Sequence, residues 1–178
     1  MQMSLGLGMT IRTALARGAG LAQMTEAEAI AKIRAAGGLV LEIAQNDNRL
    51  EVSFLSAQGK VTNETVAPVQ FLTRLAHLNL RGAEVNDEGV ALLAKQATLV
   101  RLHLEKTKVT DKGLESLKGL ANLEYLNLYG TETTDAGLAH LEGLAKLKSL
   151  YLWETKVTDE GVKKLQEKLP MLKIIRGA

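Results

Sequence analysis

Leucines recur along this chain at a fixed interval. The first of three leucine columns consists of Leu78, Leu102, Leu126 and Leu150, and the second of Leu80, Leu104, Leu128 and Leu152. The third column, three residues ahead of the first, holds Leu75, Leu99, Leu123 and Leu147. Each column advances by 24 residues per row, with no insertion over four rows. Such a period predicts a repeat protein whose rows bury their apolar faces against one another.

Smaller and polar residues share the same period. A mostly valine column holds Val85, Val109, Thr133 and Val157, an aspartate column Asp87, Asp111, Asp135 and Asp159, and a glycine column Gly89, Gly113, Gly137 and Gly161. An earlier row fits less well, with Phe54 in the first leucine column, Val61 in the valine column, Asn63 in the aspartate column and Thr65 in place of glycine. Met171 and Ile174 begin a further, short row. Terminal rows that depart from the pattern are expected where a stack meets water.

Two periods alternate within one row. Residues 102–104 read Leu-His-Leu, an alternation that predicts a short strand with one buried face. After Asp111 the pattern changes, with apolar residues three apart at Leu114, Leu117 and Leu120. This spacing predicts a helix that Asp111 caps and that Gly113 brings close to the core. Strand, turn and helix in one row predict a parallel sheet on the concave side and helices on the convex side.

The row L-x-x-L-x-L-x-x-T-x-V-T-D-x-G-L-x-x-L-x-x-L resembles the leucine-rich repeat family. It is similar to bacterial rows of 24 residues with threonine where many relatives carry asparagine or cysteine, and to C-terminal repeat segments of planctomycete-type multidomain proteins. The resemblance implies an α/β fold, a right-handed solenoid of strands and helices. It also implies that Thr107, Thr131 and Thr155 hydrogen-bond the backbone between rows. Gly59 and Ala83 lack a hydroxyl at that column, which predicts a looser N-terminal half.

Three segments are expected along the chain. Residues 1–24 contain Arg12 and Arg17 but no acid, and are predicted to be a poorly ordered or partly helical leader. Residues 25–49 are predicted to form an N-terminal cap, a helix followed by a hairpin strand. Residues 50–178 are predicted to hold about five repeat rows and a truncated C-terminal cap.

Local signals in the predicted cap are specific. Thr25 and Glu28 have the spacing of a capping box, in which each side chain bonds the backbone of the other. A helix face is then expected from Ala27, Ile30 and Ile33. The turn residues 46–48 lie between two apolar stretches, which predicts a β-hairpin that covers the first row.

Composition narrows the classes of function. The 178 residues suffice for one domain, and a net charge of +2 with 24% charged residues gives no expectation of nucleic-acid binding. The absence of cysteine excludes disulfides, thiolate metal sites and cysteine nucleophiles. No apolar run has the length of a membrane span, and the arginines of the leader interrupt its apolar stretches, unlike those of a secretory signal. These features favour the cytoplasm.

Side chains between the leucines are expected to project from the concave face. By row these are Ser53, Leu55 and Ala57; His77, Asn79 and Arg81; Arg101, His103 and Glu105; Tyr125, Asn127 and Tyr129; Ser149, Tyr151 and Trp153. All three tyrosines and the one tryptophan of the chain therefore belong to the last two rows. They predict one exposed aromatic patch with Asn127, beside a basic band of His77, Arg81, Arg101 and His103. Tyr, Trp and Arg dominate binding hot spots, so this patch is the predicted partner site.

Other interpretations of the same residues stay open. Rings on neighbouring strands also stack simply to stiffen a sheet. A metal site from His77, His103 and Glu105 is disfavoured, because diagonal neighbours on a flat sheet seldom converge. The sequence has no glycine-rich phosphate loop and no nucleophile elbow, so neither catalysis nor a cofactor is expected.

The prediction is a non-enzymatic module that binds a protein or peptide, without nucleic acid or membrane, as a monomer or weak dimer. One alternative is a structural or docking segment of a larger multidomain protein, with Ile174 and Ile175 at the interface. The other is a glycan-binding surface, because aromatic rings stack on sugars.

Overall fold

The computed structural model describes residues 24–177, so the predicted leader lies outside the described residues except for Met24. Seven strands form one sheet in chain order. They are β1 (Leu39–Ala44), β2 (Asp47–Ser53), β3 (Leu75–Asn79), β4 (Arg101–His103), β5 (Tyr125–Asn127), β6 (Ser149–Tyr151) and β7 (Lys173–Ile175). The pair β1–β2 is antiparallel and every later pair is parallel.

Short helices alternate with these strands. They are α1 (Glu26–Ala35), α2 (Asn63–Val66), α3 (Asp87–Ala91), α4 (Asp111–Glu115), α5 (Asp135–Leu138) and α6 (Asp159–Lys168), with 3-10 segments at Ala67–Phe71 and Ala139–Leu141. Each helix of α3 to α6 packs on the next one along the chain, and the leucine columns fill the space between helices and sheet. The predicted α/β solenoid is confirmed. No helix within residues 24–177 is both long and apolar enough to span a bilayer.

Helix α1 and the hairpin β1–β2 precede the rows. Thr25 and Glu28 form the predicted capping box at the start of α1. The buried face of α1 consists of Ala29 and Ile33 with Ile30 partly buried, whereas Ala27 is exposed, contrary to prediction. Strand β2 runs past residue 49 and pairs with β3, so the hairpin continues directly into the sheet of the repeats.

The first row is two residues longer than the others. Val52 pairs with Leu78, and the Phe54 N–H bonds Asn79 O just as the Leu80 N–H bonds the next strand, so Phe54 occupies the second leucine column rather than the first. The extra residues lie between Phe54 and Val61, which keeps its predicted column. The projecting residues of this row are accordingly Glu51, Ser53 and Leu55, and Ala57 is not among them.

Leucines three apart mark tight turns rather than long helices. Helix α4 ends at Glu115, and the N–H groups of Leu117, Leu120 and Leu123 each bond the carbonyl three residues earlier. A chain with three residues per turn keeps every third side chain on one side, whereas an α-helix of 3.6 residues per turn does not. The spacing thus buries three leucines in succession without the long predicted helix.

Three aspartates of the repeat each bond the residue that caps the next helix. Asp87 Oδ1 accepts the Thr110 backbone N–H at 2.8 Å, and Asp87 Oδ2 accepts the Thr110 hydroxyl at 2.7 Å. The same two bonds recur in the pairs Asp111–Thr134 and Asp135–Thr158. In the first rows Asn63 and Asn86 bond each other in the equivalent place. We call this series of bonds the aspartate ladder.

The ladder corrects the predicted role of Asp111. The side chain that caps α4 is Thr110, whose hydroxyl accepts the Lys112 N–H at 3.3 Å, and Asp111 is the first helical residue. The aspartate column therefore joins rows instead of capping its own helices. A carboxylate that receives two hydrogen bonds holds the next helix start at a fixed distance.

The glycine column leaves room for the ladder. A Cβ at Gly113 would lie 2.6 Å from Asp87 Oδ1 and 2.9 Å from Val109 Cγ1, closer than atoms can pack. Thr65 occupies this column in the first row, where no ladder residue precedes it within the described chain, and its hydroxyl instead bonds Thr62. The break in the glycine pattern thus coincides with the start of the ladder.

The threonine column bonds within its own row. The Thr107 hydroxyl donates to Leu104 O at 2.7 Å, three residues back, and the equivalent bonds are Thr131 to Leu128 and Thr155 to Leu152. The implied bonds from these hydroxyls to the neighbouring row are therefore wrong. There is therefore no reason to expect a looser N-terminal half, because the missing hydroxyl at Ala83 removes only a bond within its own turn.

Arg176 lies where a further row would begin. Its Nη2 donates to Val157 O at 2.8 Å, and its guanidinium forms an ion pair with Asp159. In earlier rows the equivalent carbonyl accepts a backbone N–H of the next row, as Val85 O does from Lys108 at 2.8 Å. One side chain thus satisfies both the carbonyl and the ladder aspartate of the last row described.

Met171 does not take its predicted place in the third leucine column. It is 93% exposed, and Leu172 is buried instead. Helix α6 has 10 residues where α4 has 5, so the chain reaches β7 with the apolar position displaced by one residue.

We expect Gly113→Ala to lower the free energy of unfolding by about 1–3 kcal/mol, because the new methyl group displaces Asp87 from Thr110. Urea unfolding measures this loss. Gly143→Ala is the matched control, since a Cβ there meets nothing within 4 Å, and it should be neutral or slightly stabilising. In an Asp87→Ala background Gly113→Ala should cost less; full additivity of the two changes would contradict the proposed clash.

Arg176→Met should loosen the C-terminal row, because Val157 O and Asp159 both lose their partner. The expected loss of stability is about 1 kcal/mol, with faster amide hydrogen exchange in β7 and α6. Lys173→Met on β7 is the control, since Lys173 forms no ion pair within residues 24–177. Equal exchange rates in both variants would show that Arg176 does not close the ladder.

Candidate functional site

The candidate site is the outer face of strands β4, β5 and β6. Leu102, Leu126 and Leu150 pair across these strands and are fully buried, so the side chains between the leucine columns point away from the core. The register sets Arg101 beside Tyr125 and places Asn127 between the neighbouring strand positions His103 and Tyr151.

Three rings contact one another in a row across these strands, with interplanar angles of 37° and 44°. The centroids of His103 and Tyr125 are 4.8 Å apart, and those of Tyr125 and Tyr151 are 5.2 Å apart. The Arg101 guanidinium carbon lies 4.4 Å from the centroid of the Tyr125 ring, within the range of a cation–π interaction. We call His103, Tyr125 and Tyr151 the triple stack; all three side chains are half-buried.

A second group of rings lies further along the same rows. Tyr129 and Trp153 stack with centroids 5.3 Å apart and planes 27° apart, and we call them the ring pair. Lys106 Nζ lies 5.3 Å from the Tyr129 centroid. Trp153 is 53% exposed although Gly177 packs against its indole. The predicted single patch is thus two separate stacks, each with one cation on it.

A buried carboxylate organises the polar groups between the rings. Glu105 Oε1 accepts from Asn127 Nδ2 at 2.8 Å and lies 2.9 Å from His103 Nδ1. Asn127 Nδ2 also lies 3.4 Å from the Tyr125 hydroxyl, and Asn127 Oδ1 accepts the Tyr129 N–H at 3.0 Å. The other oxygen of Glu105, Oε2, is buried without a hydrogen-bond partner among the described residues. Glu105 therefore holds the triple stack and the start of the next turn in one network.

Burial changes the titration of two groups on this face. Burial raises the pKa of Tyr125 above its ordinary value; the negative charge of Glu105 adds to the rise and the hydrogen bond from Asn127 opposes it. Burial also lowers the pKa of His77, against the opposing influence of Glu51. Both groups are therefore favoured in their neutral forms.

Two predicted site residues lie apart from the rings. His77 Nδ1 is 3.6 Å from Glu51 of the preceding strand, and Arg81 lines a small pocket with Leu55 and Lys60 at the N-terminal end of the sheet. The predicted basic band therefore divides, and only Arg101 and His103 contact the aromatic residues. No three metal-ligating side chains converge anywhere in residues 24–177.

The sequence places Glu105 among the projecting residues and as a disfavoured metal ligand, but it predicts neither a site role for Glu105 nor any role for Lys106. A signal for Lys106 was present in its column, which reads Gly82, Lys106, Gly130 and Glu154. The glycines have φ of +73° and +66°, and Lys106 and Glu154 adopt +54° and +55°, the left-handed region that other residues avoid. Residues other than glycine seldom adopt this conformation, so Lys106 and Glu154 stand out in their column.

Comparison with known proteins agrees with this architecture. Residues 72–94 and 95–118 match the family model described as Leucine Rich repeat. An internalin C2 from Listeria monocytogenes is similar, with 28% identity and a TM-score of 0.53 over 61% of this chain. The match spans only 44% of the internalin chain. A search of curated proteins returned no match.

Two further solved structures share the fold at lower identity. An internalin (inlF) from Listeria monocytogenes is 18% identical over 63% of this chain and 31% of its own, with a TM-score of 0.53. The leucine-rich-repeat ectodomain of the receptor kinase SOBIR1 from Arabidopsis thaliana is 14% identical over 87% of this chain and 93% of its own, also with a TM-score of 0.53. The chain therefore has the leucine-rich-repeat fold.

Glu105→Ala should lower the free energy of unfolding by about 1–3 kcal/mol, because Asn127 and His103 lose their shared acceptor. Glu105→Gln keeps one carbonyl oxygen for both donors and removes a buried charge, so we expect it to stay within about 1 kcal/mol of the wild type. Urea unfolding of both variants tests the network. A Glu105→Ala variant as stable as Glu105→Gln would argue against it.

Proposed function

We propose that this leucine-rich-repeat protein is a non-enzymatic recognition module that binds a protein or peptide on the sheet face of its C-terminal rows. The anchors would be Tyr125 and Tyr151 of the triple stack and the ring pair Tyr129 and Trp153. Asn127 would supply hydrogen bonds between them. The leucine-rich-repeat fold is itself a common scaffold for protein interaction, since stacked rows create an extended concave surface.

The observation that carries this proposal is the half-exposed ring pair. Trp153 keeps 53% of its surface open although Tyr129 lies against one side of it. A ring held by stacking loses little conformational freedom when a partner covers it, which lowers the entropic cost of binding. Stacking of Tyr129 on Trp153 therefore favours a binding role for these exposed rings and is not an alternative to that role.

A second candidate function is docking through the last strand. Strand β7 pairs with β6 on one side, and on its other side no strand follows within residues 24–177. Met171 near it is 93% exposed, and Ile174 and Ile175 are only half-buried. Light scattering over a range of protein concentrations tests self-association through this edge. A protein that stays monomeric at every concentration, with the same mass after Met171→Ser, would exclude the pairing of two copies.

Tyr129→Ala combined with Trp153→Ala should weaken partner binding by a few kcal/mol while the protein stays folded. The loss reflects the large area that two rings bury in a typical interface. Pull-down from a cell lysate followed by titration of the captured protein measures it, and circular dichroism checks the fold.

The matched control removes apolar area from the other end of the same sheet face. Leu39 and Leu41 on β1 are about half exposed, at 50% and 51%, so Leu39→Ala with Leu41→Ala should leave binding unchanged. A partner that is lost with the leucine variant and kept with the ring variant would place the binding site elsewhere. A glycan that binds only when the rings are present would replace the protein partner in this proposal.

A further inference from the structure

Some charged residues of this protein are neutralised by the neighbouring row. A lysine in one row meets a glutamate at the same column of the next, 24 residues away, in the pairs Lys60–Glu84, Glu124–Lys148 and Glu132–Lys156. The nitrogen–oxygen distances are 2.9, 2.7 and 3.4 Å. The 24-residue repeat thus brings some opposite charges of adjacent rows within reach of each other, although not every such column forms a pair.

Two cations lie beside the rings of the candidate site. Arg101 lies in a column with His77, Tyr125 and Ser149, and neither it nor Lys106 forms an ion pair within residues 24–177. Each instead lies over a tyrosine ring, at 4.4 and 5.3 Å from the centroid. Both side chains are exposed, so their charges face the solvent above the candidate site.

Lys106 occupies its place at a cost in backbone conformation. Its φ of +54° lies in the left-handed region, where a residue with a Cβ is strained and where the same column has Gly82 and Gly130. A glycine at 106 would fit the turn with less strain. Strained residues concentrate at functional positions, and here the strain keeps an ammonium group over Tyr129.

The acids nearby form no ion pair with Arg101 or Lys106. Glu105, beneath the rings, is buried and already bonds Asn127 and His103. Glu154 is exposed at the equivalent turn two rows after Lys106, and the two side chains flank Gly130, where a Cβ would lie 3.3 Å from Lys106 Cγ and 3.9 Å from Glu154 Oε2. They form no ion pair with each other. The face around the rings therefore presents two unpaired cations and aromatic surface together, with the exposed carboxylate of Glu154 at its edge.

We propose that the partner recognised by this face is an acidic polypeptide segment, whose carboxylates bind Arg101 and Lys106 while its apolar side chains cover the rings. This inference rests on the proposed function and names its ligand class. Tyr125 and Tyr129, which carry the two cations, are four residues apart along one row, or about 13 Å in an extended chain. Two acidic residues a similar distance apart in an extended peptide would match this spacing.

Nucleic acid fits these charges less well. Binding to a phosphate backbone draws on many basic contacts along a continuous stripe. The candidate site offers two unpaired cations next to the rings, and the whole chain has a net charge of only +2. A short oligothymidine therefore serves as the negative probe.

Selection from a displayed library of random peptides identifies the ligand class without a known partner. The peptides retained should be enriched in Asp and Glu with apolar residues between them. Binding of a synthetic retained peptide, measured by fluorescence anisotropy, should weaken as NaCl rises, because exposed charge pairs are screened. Oligothymidine should neither bind nor compete.

Charge reversal locates the contact. Arg101→Glu with Lys106→Glu should weaken binding of that peptide by about tenfold or more. Lys112→Glu with Lys163→Glu, two exposed helix lysines, changes the net charge equally and should have less than about a twofold effect. If the reversed pair disturbs the fold by circular dichroism, Arg101→Gln with Lys106→Gln replaces it, with a smaller expected loss.

The variant Lys106→Gly distinguishes a binding role of Lys106 from a structural role. It should raise the urea midpoint by relieving the strained turn, yet weaken the acidic peptide several-fold. Glu154→Gly relieves the same strain in the control position and should leave peptide affinity unchanged or higher. A structural role for Lys106 would instead lower the urea midpoint.

The outcomes distinguish this inference from the proposed function. Retained peptides that need Tyr129 and Trp153 but are not acidic, or that ignore the reversal of Arg101 and Lys106, overturn the inference and leave the recognition module standing. A library without any peptide that depends on the rings counts against both. Binding of oligothymidine that competes with the peptide overturns the acidic polypeptide as the ligand.

Discussion

The aspartate ladder is the constraint on which the rest of this structure depends. One carboxylate, such as that of Asp87, accepts both the backbone N–H and the hydroxyl of the threonine that caps the next helix. Apolar burial alone is non-directional and would let rows slide or rotate. Two hydrogen bonds to one carboxylate, at the steps that begin with Asp87, Asp111 and Asp135, fix both the spacing and the angle. The glycine column follows from it, because a side chain at Gly113 would occupy the space of the carboxylate.

A fixed step between rows brings equivalent residues of successive rows into contact. Residues at the same place in successive rows become neighbours, which is why Glu124 pairs with Lys148 and Tyr129 stacks on Trp153. Side chains that lie 22 to 24 residues apart in the sequence thereby contact each other as regularly as residues one turn apart in a helix. The same geometry makes an unmatched column visible, as with Arg101 among His77, Tyr125 and Ser149.

The sequence predicts the columns of equivalent residues but not the hydrogen bonds between them. The leucine period predicts the solenoid and the outward direction of the four rings, because alternation and repetition survive any local detail. The partner of Asp87 was not predictable, since a capping role and a bond 23 residues away need the same residue type. Nor does the sequence reveal that Glu105 is buried, because a glutamate at a projecting position is ordinarily solvated. The extra residues after Phe54 escaped detection because the row regains its register at Val61.

The ladder and the candidate site lie at different points of each row, and this separation has a consequence for function. Ladder bonds join the starts of the helices, whereas Tyr125, Tyr129 and Lys106 belong to the strands and the turns after them. Projecting residues on the strands can therefore change without disturbing the bonds that set the step between rows. Because this surface takes no part in the ladder, it can carry unpaired charges and strained turns without a change in the step between rows. The strained turns at Lys106 and Glu154 take no part in the ladder, so the binding role proposed for Lys106 places no demand on the bonds between rows.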